Sequence, residues 1–392
     1  MNGALTFRVD RSDPAPAFGL KTAPMWPVAG PGAAFGLKTA RVWRGGWAGC
    51  RLWPEDGPGM AGWLGRVPRL AARWPRMAVP SRLRRGRPRR IIADVEATLA
   101  TAPDRAAYEG LVDLLRGGNV AVLSGAGLST ESGIPDYRGS DGKRRVTPMT
   151  YGEFVASPAN RQRYWARSFV GWQRFAGAGP NDGHRAVAEL QRLGLVRAII
   201  TQNVDGLHQK AGARDVLELH GNLDLARCLN CGETTARAEL AGRLREANPR
   251  FEGRVGEIRP DGDMVLADEL VASFHTPRCL VCASDLVKPD VVFFGESVPK
   301  PLVEQGFSHV EASSGLMVLG SSLKVMSGYR FVRRAAAIGI PVAIVTRGPS
   351  RGDEQATIRL DAPLGVTLSR IVKDLQVKGG AELARVKPVS RP

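Results

Sequence analysis

The sequence predicts an α/β fold: a Rossmann-like, doubly wound parallel sheet carrying a small inserted zinc-binding module. Short apolar runs at 120–123, 196–201, 316–320 and 340–346 alternate with stretches of helical spacing, the rhythm of strands and crossover helices around a buried parallel sheet. The first run breaks into Gly125-Ala126-Gly127, as a buried strand does on entering a phosphate-binding turn. Two Cys-x-x-Cys pairs, Cys228/Cys231 and Cys279/Cys282, lie between the second and third runs, and four such thiolates suit one tetrahedral zinc.

Taken in chain order, residues 1–90 stand apart. They hold seventeen Lys/Arg against four Asp/Glu, so +13 of the net +17 sits there, together with six of the eight Trp. The heptapeptide at 17–23 returns at 34–40, and no periodic apolar pattern is present, so no fold is assigned. The segment reads as a basic targeting or nucleic-acid arm, as a disordered tail, or as upstream sequence ahead of a start near Met77. The last reading is preferred, and N-terminal sequencing that found Met1 would remove it. The other 302 residues carry only +4, so charge says little about their partner and nucleic acid is expected only through the tail.

A Thr101/Asp104 capping box opens a helix with Ala107, Leu111, Leu114 and Leu115 on one face, stopped by Gly117 and Gly118. Further helical stretches at 184–193 and 329–338 end at Gly194 and Gly339. The organisation expected is a tail over 1–90, a first part of the Rossmann-like domain with the cofactor loop over 91–225, the zinc module over 226–285, the second part over 286–380 and a short tail over 381–392. Ligands of such sheets bind beyond the carboxyl ends of the strands, so the informative residues should follow the strands. No run of about eighteen apolar residues occurs, and a cytoplasmic monomer is expected.

Each motif has a plain reading beside its chemical one. Gly125-Ala126-Gly127-Leu128-Ser129-Thr130 departs from the dinucleotide fingerprint at Thr130, and alone could be a tight turn. Thr201-Gln202-Asn203-Val204-Asp205-Gly206-Leu207-His208 follows a strand, where polar residues could equally cap a turn. His220, before Gly221, ends a strand-like run, a place where a histidine is more often structural than catalytic. The remaining histidines, His184, His275 and His309, read as surface or capping residues. The cysteine pairs are the most specific physical signal. Their four-thiolate set would be closed to water and hence structural, although the 47-residue interval at 232–278 leaves two separate redox or disulfide pairs as the alternative.

Together these motifs, with Glu131-Ser132-Gly133-Ile134-Pro135-Asp136-Tyr137-Arg138-Gly139, Leu217-Glu218-Leu219-His220-Gly221-Asn222 and Gly320-Ser321-Ser322, resemble the sirtuin family over roughly 99–377. The resemblance implies an NAD-dependent deacylase of protein lysines. Its cofactor contacts would be Gly125, Ala126, Gly127, Ser129 and Thr130 at the pyrophosphate, and Ile134, Pro135, Asp136, Tyr137 and Arg138 in the lid, Tyr137 shielding the reacting carbon. Gln202, Asn203, Val204 and Asp205 would line the ribose and nicotinamide end, with Gly320, Ser321, Ser322, Thr346, Arg347, Gly348 and Leu364 completing the pocket. His220 would be the general base, with Asn203 and Asp205 counted among the catalytic set, and Cys228, Cys231, Cys279 and Cys282 would hold one structural zinc. The segment 287–296 would pair with the acyl-lysine substrate's backbone. Residues 161–167 resemble the class II branch that includes the lipoamidase-type sirtuins. Tyr164 and Arg167 have the spacing by which desuccinylases grip a carboxylate, but their surroundings are those of class II and desuccinylation is not predicted. Mono-ADP-ribosyl transfer to protein and non-catalytic binding of nucleotide or nucleic acid are the alternatives.

Overall fold

The structure, a computed structural model, describes residues 102–139, 141–144, 147–251 and 266–383. The segment 1–90, the expected start near Met77 and the Thr101 half of the capping box lie outside the described residues.

The elements run α1 (Ala102–Arg116), β1 (Val120–Ser124), α2 (Tyr151–Ala156), α3 (Pro158–Ala176), α4 (Asp182–Arg192), β2 (Val196–Thr201), α5 (Leu207–Lys210), β3 (Val216–Glu218), β4 (Gly221–Cys228), β5 (Thr234–Ala236), α6 (Arg237–Ala247), α7 (Asp268–Ala272), β6 (Val287–Val291), α8 (Lys300–Glu311), β7 (Gly315–Leu319), α9 (Met326–Ala337), β8 (Val342–Val345), β9 (Ile358–Leu360) and α10 (Leu364–Leu383).

Six strands form one sheet in the order β3-β2-β1-β7-β8-β9, and every pairing in it is parallel. The four apolar runs are its central strands, and they read as continuous runs because helices cover both faces. Val122, Ile199, Met317, Leu319 and Val345 point to the face packed by α1, α4 and α10. Their neighbours Leu123, Ile200, Val318 and Ile344 point to the face packed by α8 and α9, as period-two alternation requires. The chain proceeds outward in one direction through β1, β2 and β3 and in the other through β7, β8 and β9, so the order reverses between β1 and β7. That is the switch point at which open α/β sheets bind ligands.

A second, antiparallel sheet of order β5-β4-β6 carries the cysteine pairs at its end. Its edge strand β6 contains Pro289, which an edge tolerates because no ladder donor is needed on the open side. The sheet shares a core with α2, α3, α6 and α7. The Trp165 indole N–H donates to the Val287 carbonyl at 2.8 Å. The buried Arg161 guanidinium joins Asp285 at 2.7 Å and also reaches the Phe154 and Val155 carbonyls that end α2.

His220 is the last residue before β4, at the step from one sheet to the other, and its carbonyl accepts from Val292 N–H at 2.8 Å. The step depends on Gly221, at φ 79°. A Cβ there would collide with the Asp290 carbonyl oxygen and stand 3.0 Å from its carbon, so β6 packs against β4 only where no side chain intervenes.

Candidate active site

A cavity of about 660 Å³ opens at the carboxyl ends of β1, β2 and β7, within the range of small-molecule sites. Its floor is made by two turns in contact. Gly125 N–H donates to the Leu319 carbonyl and Gly127 N–H to the Gly320 carbonyl, both at 2.9 Å. A Cβ on Gly125 would lie 2.8 Å from that of Ser321, one on Gly127 2.8 Å from the Gly320 oxygen, and one on Gly320 2.5 Å from the Leu128 nitrogen. The glycines at 125, 127 and 320 are therefore needed for the two turns to meet, whatever they bind.

Most residues expected at the cofactor border this cavity. Gly125, Ala126, Gly127 and Ser129 do so from the first turn, and Ile134, Pro135, Asp136, Tyr137 and Arg138 from the segment after it. Gln202, Asn203, Val204, Asp205 and His220 line it from the β2 and β3 ends, and Gly320, Ser321, Ser322, Thr346 and Arg347 from β7 and β8. Three expected residues do not. Thr130 is exposed and bonds back to the Gly127 carbonyl. Gly348 points its N–H at Asp361, and Leu364 is 6% exposed in the core under Gly320.

The glycine turn also continues differently from a dinucleotide fingerprint. Two single 3-10 turns, Ala126–Leu128 and Thr130–Ser132, follow it in place of an α-helix, and Gly133 closes the second in the left-handed region. Ser129, expected at a pyrophosphate, is only 1% exposed and turns its hydroxyl inward. It donates to Asp205 Oδ2 at 2.6 Å and accepts from the Asn203 amide at 3.0 Å. The same amide reaches the Gly125 carbonyl at 3.1 Å, and Asp205 Oδ1 accepts from Leu207 N–H at 3.0 Å. Asn203 and Asp205 are thus held at the border of the cavity by Gly125 and Ser129 of the first turn and by the Leu207 backbone.

Behind this cluster stand two histidines. Of the two readings given for His184, surface or capping, it has the second, and it is fully buried: it completes a capping box with Asn181, accepting from that backbone N–H through Nδ1, and its Nε2 lies 3.4 Å from the Ser129 hydroxyl. His208 places Nε2 2.8 Å from the Ser124 hydroxyl, and the two rings meet edge to face at 5.2 Å. Burial depresses both, His184 to about 4, with Arg185 adding to it, and His208 to about 3, with His184 adding to it. Both rings are neutral at pH 7. His208 lay inside a recognised motif, but nothing in the sequence around His184 marked its burial.

The general-base candidate has a defined tautomer. His220 Nδ1 is 2.9 Å from the Gln202 carbonyl oxygen, which can only accept, so Nδ1 carries the proton and Nε2 is left as the base atom. Nε2 faces the Ser327 hydroxyl at 2.8 Å. Burial lowers the ring's pKa; the Gln202 carbonyl opposes that and Arg330 adds to it. A neutral imidazole is what a proton acceptor requires.

Comparison with known proteins gives this geometry its context. A family model described as Sir2 family matches residues 125–327. The chain is 55% identical over 271 residues to NAD-dependent protein deacetylase 1 of Streptomyces coelicolor, covering 69% of this chain and 90% of that protein. The chain belongs to the Sir2 family. Within that family it is also 45% identical over 254 residues to human NAD-dependent protein lipoamidase sirtuin-4, mitochondrial, covering 64% of this chain and 81% of the relative. A solved complex described as Sir2-p53 peptide-NAD+ superposes with a TM-score of 0.55 at 28% identity, covering 69% of this chain and 98% of that one.

In this Sir2-family chain the cavity continues to an apolar end bordered by Met149, Tyr164, Phe175, Leu223, Val291 and Phe293. Tyr164 is 4% exposed and packs edge to face on Phe154 at 5.4 Å. Its sequence partner Arg167 does not border the cavity, so the Tyr-x-x-Arg spacing does not deliver both groups to it. Residues 292–296, beyond β6, run along the same wall, where Phe294 contacts Tyr137 at 5.6 Å and its carbonyl accepts from Tyr151 N–H at 2.9 Å.

The four cysteines converge at the far end of β4 and β6. Cys228 and Cys282 are 3.6 Å apart at sulfur, as are Cys231 and Cys279, and all four sulfurs lie within 4.8 Å of one another. A zinc with four ligands at about 2.3 Å asks for sulfur–sulfur edges of about 3.8 Å. The Asn230 amide and then the Ser284 backbone N–H hold the Cys282 thiol down, while, against the Glu233 backbone N–H, burial and the neighbouring sulfurs push the Cys231 thiol up, as expected where four thiols crowd one point. The cluster fits a structural zinc site, and the alternative of two separate redox or disulfide pairs does not describe it. No helix among the described residues is long and apolar enough to cross a membrane.

Proposed function

We propose that this chain is an NAD-dependent protein lysine deacylase with His220 as its general base. The observation that carries the reading is the convergence of His220 Nε2, the Asn203/Asp205 pair and the interlocked glycine turns on one cavity with an apolar end. When bound, NAD supplies the glycosidic bond whose cleavage releases nicotinamide and the ribose that carries the acyl group away, so the products are free lysine, nicotinamide and O-acyl-ADP-ribose.

The chain's contribution is position and a proton acceptor. Gln202 orients the His220 ring through its carbonyl, which makes Nε2, the atom facing Ser327, the one that would take the proton of a ribose hydroxyl. Asn203 and Asp205, fixed by Ser129, would hold the nicotinamide end, and Gly320, Ser321 and Ser322 the phosphate and ribose beyond it. Tyr137 would exclude water from the reacting carbon. The apolar end suits the stem of an acyl-lysine, and the open edge of β6 with residues 292–296 suits main-chain pairing with a peptide, which gives affinity with little sequence preference. The four cysteines would hold zinc away from the chemistry, in a closed site. We place the protein in the cytoplasm as a monomer.

The test is mass spectrometry of acyl-lysine peptides incubated with NAD and the purified chain. O-acyl-ADP-ribose and free lysine are expected, and His220→Ala should abolish both while leaving NAD binding nearly intact. Protein carrying ADP-ribose without any deacylated peptide would overturn the reading.

A further inference from the structure

The general base is gripped at both ring nitrogens, by the Gln202 carbonyl at Nδ1 and by the Ser327 hydroxyl at Nε2. Ser327 is the second residue of α9, after Met326. Its hydroxyl lies 2.8 Å from His220 Nε2, opposite the 2.9 Å contact between Nδ1 and the Gln202 carbonyl. The two grips are mechanically joined. Gly328, next to Ser327, is buried against the Gln202 side chain so closely that a Cβ on it would stand 2.5 Å from Gln202 Oε1. Gln202 is itself anchored to the Ser321 hydroxyl at 2.9 Å. Gln202, His220 and the first turn of α9 therefore form a closed ring of contacts, and a side chain at 328 would displace the Gln202 carboxamide from it.

We propose that Ser327 is a positioning residue for the base, donating to Nε2 while His220 is neutral and turning its hydroxyl to accept from Nε2–H once the ring has taken a proton. This rests on the deacylase reading for its use in turnover. The Ser327 O–H first swings off the single Nε2 lone pair; the ribose hydroxyl then gives its proton to Nε2, the serine keeps its own, and its oxygen accepts from the new Nε2–H.

The two states of that bond are unequal. A hydrogen bond from an imidazolium is stronger than one to a neutral imidazole, so Ser327 favours the protonated ring and strengthens the base. It opposes burial and Arg330, which lower the ring's pKa. The other charged groups on the surrounding elements are Arg197 on β2 and Asp205 after it, Glu218 on β3, Asp224 and Arg227 on β4, Lys288 and Asp290 on β6 and Glu296 after it, and Lys324 ahead of α9 with Arg333 and Arg334 on it. Of all these, Arg330 is the one whose charge bears on the ring.

The experiment compares Ser327→Ala and Ser327→Thr with the unsubstituted full chain. Nitrogen NMR of ring-labelled histidine, without substrate, reads the His220 titration directly. Ser327→Ala should lower it by about one unit, and Ser327→Thr, which keeps the hydroxyl, should restore it. In turnover the alanine variant should lose about tenfold in kcat, with its acid limb moved to lower pH and KM for NAD held within about twofold. Melting temperatures of the three proteins show whether each variant is folded. An unchanged or raised His220 pKa in Ser327→Ala, or a threonine variant that is folded and titrates like the alanine one, would overturn the proposal. If the unsubstituted chain shows no NAD-dependent deacylation, the deacylase reading falls by itself, because the NMR titration reports the contact without turnover.

Discussion

The Ser129 hydroxyl donates to Asp205 Oδ2 at 2.6 Å, tying the turn after β1 to the loop after β2. This bond, shared with the Asn203 amide, is what presents Asp205 to the cavity in a single orientation. A buried carboxylate that loses a hydroxyl donor forfeits about 1–3 kcal/mol. Ser129→Ala should therefore lower kcat/KM by about tenfold to a hundredfold, measured with one acylated peptide at saturating and limiting NAD. Full activity in the alanine variant would mean that Asp205 needs no such support.

Gly221→Ala should be among the most damaging single substitutions outside the cavity. The residue sits at φ 79°, and a Cβ would collide with the Asp290 carbonyl where β6 meets β4. Backbone strain and steric displacement together should cost on the order of 3 kcal/mol. A melting temperature within a degree of the unsubstituted protein would contradict this.

Acid should destabilise the fold through the buried histidine pair. His184 and His208 titrate near 4 and 3 in the folded chain and near ~6.5 when unfolded. Depressed folded-state values mean that the unfolded chain binds protons first, so stability is fully present above about pH 6.5 and declines as pH falls toward 4 and then 3. For His184 alone the loss is on the order of 3 kcal/mol. Urea unfolding at a series of pH values should show the decline, and His184→Gln should flatten it.

Metal analysis should find one zinc per chain. Cys279→Ser should remove it and lower the melting temperature, because the thiolates close the end at which β4 and β6 leave the cysteine pairs. Replacing zinc with cobalt should leave kcat nearly unchanged, as expected of a closed tetrahedral site. A large change in kcat with intact stability would argue for a metal that takes part in the chemistry.

Arg161 joins Asp285, three residues beyond Cys282, to the end of α2, with side chains 7% and 30% exposed. Removing Arg161 leaves the partly exposed Asp285 and the two α2 carbonyls without their donor, so Arg161→Ala should cost about 1–3 kcal/mol. The double variant with Asp285→Ala should recover part of that cost, a coupling that a denaturation cycle measures.

The central sheet was legible because buried parallel strands must be apolar on both faces: β1, β2, β7 and β8 appear as apolar runs, interrupted in β2 by the exposed Arg197, and α1, α4 and α9 end at the glycines expected to stop them. Edge strand β9 went unread, since three residues carry no period. The glycine turn at 125–127 and the four cysteines were marked by residue type and spacing, whereas Gly320, the Asn203/Asp205 pair and His220 were singled out by the resemblance of their motifs to the sirtuin family. Thr130 and Gly348 follow residues that line the cavity, but nearness along the chain does not fix which way a residue faces, and Leu364 packs into the core under Gly320 instead. Only the tertiary structure turned Ser129 inward, buried His184 against it, and set Ser327 against His220 across 107 positions of sequence. Those partnerships depend on which strand ends are neighbours in the sheet, a property that no window of sequence contains.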